Sequence, residues 1–271
     1  MTAETRELET ITVERLEGVV TITLRRPERK NAINGPMWDE LLTEIRAIAG
    51  SADDRAVVIT GAGGEFCSGA DVGDMSSGQG GRSAEPGRHQ LTAMRHVGDV
   101  CLALHRLPQP TVAKVRGVAV GAGANLALVC DLVVAGETAR FSEIFARRGL
   151  SIDFGGSWIL PRVVGMHRAK ELALLADIID AGEAERMGLV NRVLPDAELD
   201  AFVADWAGRL AAGPPIALAM TKRLLNNSFS VTLEEALDDE GLSQTVNFGT
   251  KDTGEAVRAF LEKRTPAFLG R

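Results

Sequence analysis

The chain has 271 residues, 45% of them hydrophobic and 25% charged, with a formal net charge of -7. That length supports one large domain, or a domain with an appendage, and the composition is far from that of a disordered chain. The negative balance excludes nucleic acid as a main partner, because phosphate binding needs a basic face.

The N-terminus, Met1 to Thr10, is polar and carries no signal peptide. Ile11 to Leu16 and Val19 to Arg25 alternate in the manner of strands, with Glu17-Gly18 as the turn between them. Pro36 starts a helix in which Leu41, Leu42, Ile45 and Ile48 mark one face. Val57 to Thr60 reads as a buried strand ending at Gly61. Ser76 to His89 reads as a mobile Ser/Gly-rich loop, and a helix from Leu91 to Arg106 stops at Pro108-Gln109-Pro110. A Thr111 to Val115 strand follows, then a helix opening near Gly121 and a Leu132 to Val134 strand. The apolar stretch Val118 to Ala135 reads as turn, buried helix and strand in series rather than as a membrane span, since Asp131 is costly in lipid. After Asp196 the pattern is helical throughout: Phe202 to Leu210, Pro215 to Leu225, Leu233 to Leu242 and Thr253 to Leu261. Strands alternating with helices define an α/β fold, and the change of pattern sets residues 1–195 apart from a helical region, 196–271.

Two Gly/Ala-rich turns stand out, Phe66 to Asp71 and Gly117 to Asn125. Each follows a strand-like run and precedes a stretch able to open a helix. Backbone N–H groups at a helix start lack intrahelical partners and attract negative oxygen, and small side chains let a ligand approach them. Two such turns suggest an oxyanion hole with one N–H from each. Cys67, Cys101 and Cys130 lie in apolar surroundings without metal spacing, as expected for reduced thiols of a cytoplasmic protein. Gly61-Ala62-Gly63-Gly64 is not a dinucleotide loop, because Phe66 stands where a third glycine is required. Neither Ser68 nor Ser157 sits in a Gly-x-Ser-x-Gly elbow, and the four histidines lack a paired nucleophile.

An ordered set of segments resembles the crotonase (enoyl-CoA hydratase/isomerase) superfamily across roughly residues 10 to 265. They are Arg26 to Asn34, Ser68-Gly69-Ala70-Asp71, Gly121-Ala122-Gly123, Leu126 to Asp131, Gly155-Gly156-Ser157-Trp158 and Gly188 to Val193. Gly121 to Leu128 and Gly149 to Leu160 are most similar to the ring-opening phenylacetyl-CoA epoxide isomerase branch. The resemblance implies a ββα spiral core with C-terminal helices that make a homotrimer, or a hexamer of two trimers. It also implies an acyl-CoA thioester as substrate, with no covalently bound cofactor and no metal.

By the same resemblance the amides of Ala70 and Ala122 hold the thioester oxygen. Arg26, Arg29, Lys30 and Lys263 are candidates for the coenzyme A phosphates, and the adenine lies near Asn31-Ala32 and Ala70-Asp71-Val72. The two glutamate positions of the hydratases align with Asn125 and Phe145, neither of which serves as a general base. Asp153 aligns with the catalytic aspartate of isomerase and dehalogenase branches, while Glu143 aligns with a non-catalytic position. The expectation is an acyl-CoA isomerase in which Asp153 shuttles a proton and Asn125 bonds a substrate oxygen. The alternatives are an enoyl-CoA hydratase (lyase) and an inactive acyl-CoA-binding homologue. Asp153 is also placed to cap a helix from Phe154 to Leu160.

Overall fold

The computed structural model describes residues 4–71, 73 and 90–271. Its core is a seven-stranded sheet built from β1 (Glu4–Glu7), β2 (Ile11–Leu16), β3 (Val19–Leu24), β4 (Ala56–Gly61), β5 (Thr111–Val115), β7 (Leu132–Gly136) and β10 (Arg192–Leu194), in that spatial order. The first three strands are antiparallel and the rest join in parallel. A smaller sheet runs beside it, in the order β6 (Val118–Val120), β8 (Arg140–Ser142) and β9 (Ile179–Asp180).

The chain visits the large sheet, then the small one, then a helix, and repeats. β5, β6 and α3 (Ala122–Val129) make one such turn, and β7 and β8 begin the next. This is the crotonase-type ββα spiral. The three- and two-residue strands of the small sheet carry too short an alternation to be seen in the sequence.

Strands β4, β5 and β7 read as unbroken apolar runs because both of their faces are covered. Val57, Ile59, Ala113, Val115, Val133 and Ala135 enter the main core, under α1 (Gly35–Ala49) and α2 (Gln90–His105). Val58, Val112 and Val134, one residue out of phase, point to the opposite face and meet Leu199, Val203 and Ala207 of α7 (Asp196–Ala211). The first helix starts where expected: Asn34 caps it by accepting from Met37 N–H at 3.1 Å, with Pro36 in its first turn.

Around the candidate site lie α4 (Gly156–Val164), α5 (Met166–Leu175) and α6 (Ala181–Arg186). The chain ends in α8 (Pro215–Asn227), α9 (Leu233–Phe248) and α10 (Lys251–Glu262). The expected Ser76 to His89 loop lies outside the described residues. Among those described, no helix is long and apolar enough to cross a membrane.

An ion pair ties α8 to the spiral, beside the bond that Asn226 Nδ2 donates to His105 O at 3.2 Å. Lys222 Nζ lies 2.7 Å from Asp131 Oδ2 and donates to Gln109 O at 3.1 Å, while Asp131 also accepts from the Thr111 N–H and hydroxyl. The lysine side chain is only 9% exposed, so removing it strands a carboxylate at the base of β5. Lys222→Met is expected to lower stability by about 2–3 kcal/mol, measured as a shift in the urea midpoint. A change below ~0.5 kcal/mol would mark the pair as an ordinary surface contact.

Candidate active site

The two Gly/Ala-rich turns are held together by backbone. Cys67 N–H donates to Val118 O at 2.8 Å and Val120 N–H to Cys67 O at 3.0 Å, which adds the first turn to the edge of the small sheet. Gly69, at φ +97°, would place a Cβ 2.8 Å from Val120 O and 3.8 Å from Ala122 N. Any side chain at 69 therefore collides with the second turn. A Cβ on Gly123 would likewise lie 2.4 Å from Cys67 O. Absence of side chains at these two positions is what allows the turns to touch.

The pairing leaves two amides over. Opposite Ala70, Ile33 N–H donates to Gly69 O at 2.8 Å and accepts, through its carbonyl, from Asp71 N–H at 2.9 Å. Ala70 N–H is skipped. The intrahelical bonds of α3 begin with Asn125 N–H to Gly121 O at 3.0 Å, so Ala122 N–H at the first helical position has no helical partner. Neither amide donates to any other described residue. Ala122 is buried and Ala70 exposed.

Behind Ala122, one turn along α3, stands Asn125, fully buried. Its Nδ2 donates to Glu143 Oε2 at 3.2 Å and to the backbone oxygen of Asp153 at 3.0 Å. Two acceptors on one side fix the amide's orientation and leave Oδ1 buried without a donor. Asp153 Oδ1 is a second buried acceptor without a partner. Burial pushes the Asp153 carboxyl up to about 6. Burial also pushes Glu143 up to about 7, with the Asn125 hydrogen bond opposing and the Asp153 charge adding to the rise.

The capping alternative for Asp153 is corrected by the structure. The helix begins at Gly156, with Gly155 at its cap and no side-chain cap bond. Asp153 is freed from that role by Phe154, which adopts φ +47° and turns the chain sharply. A bulky residue in the left-handed region is strained. Phe154 is held there by stacking on Trp38 at 5.2 Å between ring centres, and its carbonyl accepts from the Cys101 thiol at 3.5 Å. Phe145, the other aligned hydratase position, is buried.

The residues expected to hold coenzyme A divide into two groups. Arg26, Ala32, Ala70 and Asp71 come together: Arg26 Nη1 lies 2.8 Å from Asp71 Oδ2 and donates to Ala32 O at 2.6 Å. Arg26 is thus engaged within the protein, and so is Lys30, 2.9 Å from Glu65 Oε1. Arg29 is exposed, and against the upward effect of burial its charge, with that of Arg26, helps hold the Asp71 carboxyl below the usual carboxylate range. Lys263, the left-handed C-cap of α10, is exposed too, and no described contact joins it to the Arg26–Ala32 segment. Val72 lies outside the described residues.

A cavity of about 810 Å³ between α2, α4 and α8 is lined by Leu102, His105, Trp158, Met220 and others. It contains none of the predicted site residues and meets their neighbourhood only through Cys101 and Gly155. The described residues contain no cluster of His, Cys, Asp or Glu able to hold a metal ion.

Comparison with known proteins agrees with this geometry. Residues 14–271 match the family described as enoyl-CoA hydratase/isomerase. A probable enoyl-CoA hydratase of Rhodobacter capsulatus is 43% identical over 263 residues, 97% of this chain and 98% of that protein. The 1,2-epoxyphenylacetyl-CoA isomerase of Escherichia coli is 37% identical, over 94% of this chain and 96% of its own. The crystal structure of a putative enoyl-CoA hydratase from Streptomyces coelicolor superposes with a TM-score of 0.92 at 36% identity, covering 100% of this chain and 98% of that one. The fold and the paired turns define a crotonase-fold enzyme. The chain belongs to the enoyl-CoA hydratase/isomerase family.

The sequence puts Glu143 close to the expected pocket but gives it no catalytic role. Its partner Asn125 is 18 residues away, and alignment to a non-catalytic position hid a buried carboxylate that geometry places against the site.

Burial of Asp153 sets a pH dependence of stability. Its folded pKa stands above the ordinary carboxylate value, so its contribution is fully present below about pH 4. That contribution is lost as pH rises through about 6. Asp153→Asn removes this term. Relative to the variant, the wild type is expected to lose on the order of 1–2 kcal/mol between about pH 4 and about pH 8, measured by urea unfolding at each pH. A flat difference overturns the burial assignment.

Proposed function

We propose that the protein is an acyl-CoA isomerase in which Asp153 moves a proton on a substrate whose thioester oxygen lies between the Ala70 and Ala122 amides. The observation that carries this reading is the unpartnered, buried carboxyl oxygen of Asp153, whose backbone carbonyl accepts from Asn125 in the first turn of the helix that Ala122 opens. Burial makes that carboxylate a better base. It removes a proton from one carbon of the enolisable acyl group. The C–H electron pair passes into the conjugated system, and negative charge collects on the thioester oxygen. Two amide donors stabilise that charge, each by roughly 2.7–4 kcal/mol at the barrier. The same carboxyl then returns the proton two carbons away, or the electrons open a strained ring conjugated to the thioester. Coenzyme A enters as part of the substrate, with no bound cofactor. Arg29 and Lys263 are the exposed basic candidates for its phosphates that make no ion pair among the described residues.

Hydration is the second reading, and a specific feature favours it. Asn125 Oδ1 and Asp153 Oδ1 are both buried acceptors lacking donors, a pair suited to holding a water that carries two hydrogens. The name of the Rhodobacter capsulatus relative favours it as well. Asp153→Asn separates these readings from an inactive binding protein. It is expected to leave acyl-CoA binding nearly intact, because the thioester is held by backbone, and to cost at least ~10²-fold in isomerisation rate. Full activity in the variant removes the Asp153 assignment. A wild type that hydrates crotonyl-CoA as fast as it isomerises a 3-enoyl-CoA makes hydration the function.

For assembly, we infer a homotrimer or a dimer of trimers built through residues 196–271, in the cytoplasm. Phe229, Leu233, Phe248 and Phe260 of this region are 70–83% exposed, which is unusual for large apolar side chains unless another chain covers them. Light scattering is expected to give the mass of three or six chains. The mass of one chain overturns the inference.

A further inference from the structure

Two carboxylates are buried here without a cation. Glu143 is 3% exposed and Asp153 is half-buried. Neither has an ion-pair partner among the described residues. Between them stands a single amide, since Asn125 Nδ2 donates both to Glu143 Oε2 and to the Asp153 carbonyl. The groups around Glu143 offer no compensating charge. Asn125 on α3 is neutral. Asp153, on the 149–155 loop, adds to the rise in the Glu143 pKa. Cys101 on α2 is pushed up to about 11 by burial and by Asp153, and stays a neutral thiol. Arg147, on the short 3-10 turn that Glu143 itself caps, is turned outward to Asp177. Like charges in such surroundings do not both ionise freely, and they titrate as a pair.

We propose that Glu143 is a positioning residue that keeps the site at one negative charge, retaining a proton while Asp153 is ionised and fixing the Asn125 amide through the bond it accepts from Nδ2. The inference rests on the assignment of Asp153 as the proton shuttle. It assigns Glu143 no contact with substrate. With Glu143 neutral, the charge that develops on the thioester oxygen meets one carboxyl group rather than two. When Glu143 ionises, a second negative charge opposes the enolate and the rate falls. The order of titration follows from burial, since Glu143 is enclosed while Asp153 is only half-buried, and the less solvated carboxyl holds its proton longer.

The test is kcat against pH, from about 5 to 9, for isomerisation of a 3-enoyl-CoA by the full-length wild type, E143Q, E143A and D153N. The wild type is expected to rise with the first ionisation and fall with the second, approaching tenfold per pH unit on the descending side. E143Q keeps an oxygen to accept from Asn125, so its maximal kcat stays within ~3-fold of wild type. It loses the descending limb and is at least ~10-fold faster than wild type at pH 9. E143A releases the amide and lowers kcat about 10-fold at every pH, with KM changed less than ~3-fold. A wild-type profile without a descending limb, or an E143Q profile that keeps it, overturns the proposal, and the first of these needs no variant to fold. If D153N retains the wild-type rate, the underlying Asp153 assignment has failed. If D153N is inactive and E143Q behaves as wild type, only the role given to Glu143 has failed.

Discussion

The close approach of backbone to backbone between the Cys67–Ala70 turn and the Val118–Ala122 turn is the contact on which the site depends. It joins the first turn to the small sheet through two hydrogen bonds, and it tolerates no Cβ at Gly69 or Gly123. Pairing with Ile33 on the other side uses the Gly69 carbonyl and the Asp71 N–H but not the Ala70 N–H. Helix geometry does the same for Ala122. Two unpaired donors thus arise from ordinary secondary structure. They need no side chain, which is why alanine suffices at both positions.

The segment that carries Asp153 is anchored as well. Asp153 follows a loop that would be free to wander, and Phe154 prevents this by anchoring on Trp38 of α1 and on the Cys101 thiol of α2. The left-handed conformation of Phe154 costs of order 1–3 kcal/mol, and its burial against the core offsets that cost. Burial of Asp153 is a second local penalty, one that grows as pH rises. A strained backbone and a carboxylate deprived of water, side by side, mark a place where local stability has been traded for reactivity.

Much of this was legible in the residues. Alternation announced β2 and β3, the leucine and isoleucine spacing announced α1, and the order of the small-residue turns announced the ββα spiral. Legibility failed where partners are distant in sequence. Nothing near Arg26 or Lys30 reveals that Asp71 and Glu65 neutralise them, so both looked available for phosphate. Asp153 before an apolar helical stretch looked like a cap, because the strained turn at Phe154 has no signature short of its dihedral angles. Glu143 was legible as a neighbour of the pocket, but its bond to Asn125 was not, because the fold brings that partner from 18 residues away.

The substitution of Asn125 and Phe145 for the hydratase glutamates therefore does not simply empty the site of acid and base. Two carboxyl-bearing residues remain close to it on other elements, Glu143, whose carboxylate accepts from Asn125, and Asp153, whose backbone carbonyl does. An amide at 125 can donate to both of its neighbours at once, whereas a carboxylate there would add a third negative charge to a pocket with no cation. Asparagine at 125 is then the residue the new arrangement of charges requires.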